Sequence, residues 1–341
     1  MSSSDLEIRS SLIPGAGSAL FTKTDIADGE EVFQSQPLLL TNNICVREPG
    51  QSKVLGTALD IVMSLMNHSC DPNVVTVFEG NRLCVRSLRQ IEAGEELVQC
   101  YTDETCDVLL RRKKLLEQYH FVCQSHEEEH ASDRALIKNV LQTQEEVTDL
   151  INRTLVDFTA SPSLQAIHEL EAKALALTAT AFPRSYWPQR LDPLPTLYKR
   201  LGNMSSMLGQ PLPALRYSVK GCAYTQLRNG PDWTSDLLDL VKLLVPVASN
   251  VRTFGDDMPM KAAELWIVFM GYLHMLVGLA SKLYGKHALY TKAVERWFGD
   301  LLEGVNPALL ATAGFKRKLK VAHSRLLEWA GVEDHMLAWV L

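Results

Sequence analysis

The residues with the clearest chemical potential form one short run, Asn67-His68-Ser69-Cys70-Asp71-Pro72-Asn73. Small polar groups ending in Asp-Pro-Asn suit neither strand nor helix, so the backbone must turn there. Amide, imidazole, hydroxyl and thiol groups are then left to bond one another or a ligand. The plainer reading is a turn with capping side chains. Three further pieces keep this run company: Gly94-Glu95-Glu96-Leu97 leading to Tyr101, Pro14-Gly15-Ala16-Gly17 upstream, and Tyr119-His120-Phe121-Val122-Cys123 downstream. A tyrosine at a strand end is either packed, with its hydroxyl satisfied nearby, or placed to meet a reacting group. Glycines 15 and 17, lacking Cβ, let backbone approach a ligand closely.

The elements around these pieces are short strands. Leu6–Leu12 alternates loosely, and Glu31–Leu40 is an apolar run. Asn73–Glu79 is dense in β-branched residues and joins Arg82–Arg86 through Gly80-Asn81, a two-residue hairpin connection. Glu95–Cys100 is a further strand candidate. After Asp107 the period changes to that of helices. Helices are expected over 134–159, 163–181, 194–208, 213–227, 235–244, 261–284, 290–302 and 316–329, with proline-rich joints at 183–195 and 211–213. The expected architecture is α+β: small curled β sheets over residues 1–130, then an all-helical domain over 131–341 with antiparallel, tetratricopeptide-like pairing.

Taken together and in this order, the segments resemble a SET domain, closest to the SET-and-MYND lysine methyltransferases. The resemblance spans roughly residues 5–125 and rests on NHSCDPN, GEEL leading to Tyr101, the PGxG turn and the Tyr119–Cys123 segment. It implies a pseudoknot in which the NHSC run threads the following segment, and a methyltransferase that uses S-adenosylmethionine on a protein lysine. By position, Gly15, Ala16 and Gly17 fall beside the methionine part of that cofactor. Asn67 and His68 hold its amino acid and adenine groups, Tyr119 and Phe121 cover the adenine, and Tyr101 is the catalytic tyrosine.

The chain also departs from that pattern. The zinc-binding MYND module is missing, and between Leu40 and Gly56 only a short linker with Cys45 is expected in place of a helical insert. Asp60 stands where relatives carry an aromatic residue, and Ser18-Ala19 replaces Arg-Gly. Of the thiolates of the post-SET zinc site only Cys70 and Cys123 remain, with Ser125 and Glu128 at the other positions. Cys70, Cys123, His126 and His130 are an alternative ligand set, but the expectation is no structural zinc. A small-molecule substrate in a widened pocket and a non-catalytic interaction protein are the two rival functions.

Composition sets the outer limits. Of 341 residues, 46% are hydrophobic and 22% charged, an ordinary globular balance. A net charge of −6 argues against a general nucleic-acid binder, and the basic run Arg111–Lys114 reads as the solvated face of a helix. Seven irregularly spaced cysteines without a CxxC pair suit reduced thiols. With no secretory signal visible, an intracellular protein, cytoplasmic or nuclear, is expected. The most apolar stretch, Leu265–Ala280, reads as a buried helix too short for a membrane span. The tryptophans read as packing residues, and His274 as a core histidine.

Overall fold

The computed structural model describes residues 5–35, 39–47, 54–79, 82–102, 108–123, 137–181, 187–189, 191–225, 230–301 and 307–332. Nine strands precede the first α-helix among them: β1 (Leu6–Ser10), β2 (Ser18–Thr22), β3 (Glu31–Ser35), β4 (Leu39–Arg47), β5 (Val54–Leu59), β6 (Asn67–His68), β7 (Val74–Glu79), β8 (Arg82–Ser87) and β9 (Val98–Gln99). They form four small sheets, ordered β1-β2, β3-β8-β7, β4-β5 and β6-β9.

The β-branched run 74–79 pairs antiparallel with β8 from Val74↔Ser87 to Glu79↔Arg82, the register a two-residue hairpin imposes. Alternate side chains of this sheet enter a core of Leu20, Ile26, Val32, Phe33, Met66, Leu83, Val85 and Leu97. The linker expected between Leu40 and Gly56 is instead the β4–β5 antiparallel hairpin. Within the run Glu31–Leu40, β3 covers Glu31–Ser35 and β4 begins at Leu39, the two in different sheets. The strand expected over Glu95–Cys100 shrinks to Val98–Gln99, because Gly94, at φ +85°, and Glu95 are spent on a turn.

The helices are α1 (Val108–Tyr119), α2 (Ile137–Ala160), α3 (Leu164–Ala181), α4 (Leu194–Met207), α5 (Pro211–Tyr224), α6 (Pro231–Ser249), α7 (Ala262–Tyr284), α8 (Leu289–Leu301) and α9 (Ala313–Ala330). Consecutive helices from α2 to α8 pack on one another, and α9 folds back onto α7 and α5. Their shared core includes Leu197, Leu201, Leu215, Trp233, Leu240, Phe269, Tyr272 and Leu326. The helix expected over 235–244 runs from Pro231 to Ser249, since proline suits its first turn and Pro246 lies in its last. The apolar stretch at 265–280 is the middle of α7, whose 23 residues are long enough to cross a membrane. Leu265, Val268, Phe269, Tyr272, Leu273 and Leu276 of that helix are buried in the helical core.

Side chains correct two smaller readings. Arg111 is buried and Lys113 pairs with Glu145 of α2, so the basic run belongs to a helix contact rather than a solvated face. His274 is exposed. Glu264 accepts from the Lys261 N–H at 2.9 Å and pairs with Arg325. Trp187 and Trp329 pack as expected, each indole N–H donating to a carbonyl.

Candidate active site

Parallel pairing of β6 with β9 builds the site. Asn67 lies opposite Val98 and His68 opposite Gln99. Beyond β6 the Ser69 N–H donates to the Gln99 carbonyl at 2.9 Å. At the far end of the polar run, Asn73 closes the turn. Its Nδ2 donates to the Glu96 carbonyl at 2.8 Å and to Glu95 Oε1 at 3.1 Å, and its Oδ1 accepts from the Val98 N–H at 2.9 Å. The polar run is thus sewn at both ends to the segment that ends at Tyr101.

Tyr101 is half-buried, and its hydroxyl donates to the Met66 carbonyl at 2.7 Å. Burial, reinforced by Tyr119 and Glu96, pushes its pKa up to about 12, so the phenol stays protonated. Around it stand His68 (ring centroids 5.4 Å away), Tyr119 (4.8 Å) and Phe121 (6.3 Å, edge-on). Two local devices bring the last two in. Tyr119 ends α1, and His120 then takes φ +60°, a left-handed turn that reverses the chain. Phe121 consequently returns to 5.8 Å from His68.

His68 is buried and doubly engaged. The Tyr101 N–H donates to its Nδ1 at 3.1 Å, and its Nε2 lies 3.3 Å from Cys70 Sγ. A backbone N–H can only donate, so Nδ1 is the acceptor and the neutral ring carries its proton on Nε2, facing the sulfur. Cys70 Sγ is in turn 3.7 Å from Cys123 Sγ. This bond to Cys123, together with burial, raises the Cys70 pKa and keeps the thiol protonated. His68, Cys70 and Cys123 are the one group of metal-capable donors among the described residues. The alternative partners His126 and His130 lie outside those residues.

Gly15 and Gly17 take φ +80° and +76°, and a Cβ at either would meet nothing within 4 Å. The loop they occupy closes through the Ser11 N–H on the Gly17 carbonyl at 2.8 Å and the Ala16 N–H on the Ile13 carbonyl at 3.1 Å. Asn67 Nδ2 reaches the Ser18 carbonyl at 3.3 Å and Glu96 Oε1 at 3.0 Å, which sets this loop beside β6. Asn67, His68, Tyr101, Tyr119 and Phe121 therefore converge, with the glycine loop tied to Asn67. Sequence reasoning missed Glu96 and Ser11, which join the two halves. Asp60, noted in the sequence only as a departure from the family pattern, is buried, and its carboxylate caps the turn Met63–Leu65 by accepting from the Met63 N–H at 2.9 Å.

Against known proteins, residues 17–102 match the family model described as SET domain. The chain carries a SET domain. The glycine loop before Gly17 and the Tyr119–Phe121 segment fall outside that match. Histone-lysine N-methyltransferase SMYD3 of Mus musculus is 38% identical over 109 residues, covering 30% of this chain and 25% of that protein. N-lysine methyltransferase SMYD2 of Rattus norvegicus is 25% identical over 239 residues, covering 69% of this chain and 49% of that protein. SMYD2-B of Xenopus laevis is 26% identical over the same length and shares. The chain thus matches at most about half the length of these relatives. Small sheets around the SET match and a largely helical remainder fit this likeness to SMYD2 and SMYD3.

Proposed function

We propose that this chain is an S-adenosylmethionine-dependent methyltransferase of protein lysine, with Tyr101 as the catalytic residue. The observation that supports it most is the Tyr101 hydroxyl on the Met66 carbonyl, held where β6 and β9 pair. The names of the relatives, histone-lysine and N-lysine methyltransferase, favour lysine over a small molecule. The open space over Gly15 and Gly17 and the aromatic faces of Tyr119 and Phe121 fit the methyl donor. Gly15, Ala16 and Gly17 would hold it through their backbone, Asn67 and His68 through β6, and Tyr119 and Phe121 by packing on its ring. When bound, it supplies an electrophilic methyl group on a sulfonium.

The remaining chemistry falls to side chains of this chain. A lysine amine with an ordinary pKa near ~10.4 must first lose its proton, and the half-buried surroundings of Tyr101 favour the neutral amine. The protonated phenol, fixed by Met66, orients the reacting groups and keeps water out, so that alignment rather than acid–base catalysis supplies the rate. No resident zinc is required. To bind metal through Nε2, His68 would have to surrender the proton that faces Cys70, and moving that proton to Nδ1 would break the Tyr101 N–H bond. Stoichiometric zinc in metal-replete purified protein would reverse that statement.

The test is transfer of a labelled methyl group to lysine-containing proteins, paired with calorimetric binding of the donor. Tyr101→Phe is expected to bind the donor within a few-fold of wild type and to lose about 100-fold or more in rate, roughly the loss of one key transition-state contact. Undiminished transfer by Tyr101→Phe overturns the assignment. Absence of donor binding by the wild-type chain overturns the whole reading in favour of a non-catalytic role, and transfer confined to small amines would favour the small-molecule alternative.

A further inference from the structure

Glu96 has no part in the chemistry above, yet it is the most heavily bonded side chain beside Asn67. The residue is 6% exposed. It accepts from Ser11 Oγ at 2.8 and 3.1 Å, from the Leu12 N–H at 2.9 Å and from Asn67 Nδ2 at 3.0 Å. Ser11 Oγ also accepts from the Ile13 N–H at 3.0 Å, so the bonds run on into the loop that carries Gly15 and Gly17. One carboxylate therefore binds that loop to the Asn67 side chain. Its backbone is held as well, through the bridge with Phe21 in β2.

Every donor on Glu96 is neutral, and among the described residues no Lys or Arg lies within ion-pair range of it. Burying a carboxylate without a cation is expensive even when it is hydrogen-bonded, and apolar packing of equal volume would join two loops at lower cost. The arrangement makes sense where the relative placement of loop and strand has to be fixed. The negative charge also complements a ligand carrying an ammonium group and a sulfonium.

We propose that Glu96 is a positioning residue for the methyl donor, setting the distance between the Gly15–Gly17 backbone and Asn67; this rests on the donor-binding reading above. Donor binding is to be measured by titration calorimetry, at a temperature where circular dichroism shows every variant folded. Glu96→Gln is expected to bind about 10- to 100-fold more weakly, the range for losing charge-assisted hydrogen bonds, and Ser11→Ala a few-fold more weakly. Glu96→Asp should recover part of the loss. Val85→Ala, a core truncation in β8, should lower the Tm while binding as wild type does. In turnover, the KM for the donor should rise more than kcat falls.

Wild-type affinity in Glu96→Gln, with a Tm lowered as in Val85→Ala, makes Glu96 a structural residue and overturns the inference alone. Should Glu96→Gln not fold, wild-type affinity in Ser11→Ala overturns it equally. Absence of binding in the wild type overturns both the inference and the function on which it rests.

Discussion

Tyr101 shows how much one residue's surroundings decide. Its phenol is moved from an ordinary pKa of about 10 to about 12, chiefly by burial. A raised phenol favours the neutral form in the folded state. Its contribution to stability is therefore complete below pH 10 and is lost as the pH rises from about 10 towards 12, where only the unfolded chain ionises. Tyr198, Tyr217 and Tyr290 are displaced in the same direction, again by burial first. Thermal midpoints should accordingly be flat up to about pH 9.5 and fall steeply above pH 10. Tyr101→Phe should flatten part of that fall; an unchanged slope would show that Tyr101 does not contribute to it. The polar run and its tyrosine were legible because their residue types are unusual in strands and helices. Glu96 was not, because a glutamate beside a glycine turn reads as exposed, and only the neighbouring Leu97 hints that the chain faces inward. Asp60 was visible as a departure, but its work as a cap depends on a turn that composition does not announce.

At the scale of elements, helices were easier to read than strands. Their apolar period persists over many residues, so errors were confined to the ends, where proline can start a helix as readily as break one. The β4–β5 hairpin escaped because Thr41-Asn42-Asn43 interrupts its apolar pattern. The short parallel pair β6–β9 carries no local signal either, since its partners are distant in sequence and two residues long. Close helix contacts are equally hidden. Where α4 crosses α5, a Cβ on Gly202 would collide with Ser218 Oγ, and one on Gly221 would lie 2.8 Å from the Lys199 backbone nitrogen. Both glycines lie inside helices, where alanine would otherwise be preferred. Gly221→Ala should thus destabilise, by about 1–3 kcal/mol, as overpacking does. Gly278→Ala, with open space around it, should be neutral or stabilising. Denaturant midpoints of the two variants test the contrast directly.

Across the whole molecule, the end of α7 is locked to the β3-β8-β7 sheet. Arg86 of β8, its side chain 12% exposed, donates to the carbonyls of Gly29 and Lys282, the latter at 3.2 Å. Lys282 pairs with Asp28 at 2.9 Å. Beneath these contacts Val75, Leu88 and Leu283 form a small buried cluster that spans both regions. Gly285 must lack a side chain for this, since a Cβ there would sit 2.8 Å from the Arg86 guanidinium. Arg86→Ala should cost about 1.5–3 kcal/mol, the range for hydrogen bonds made by a charged donor, and unfolding should remain a single transition. No sequence rule pointed to this junction, because its partners lie on strands and a helix far apart in the chain. Its consequence concerns manufacture of the protein as much as its shape. Val75 and Leu88, cut free of Leu283, would present bare oil to water, so the N-terminal part synthesised alone should clump unless the helices are supplied alongside it.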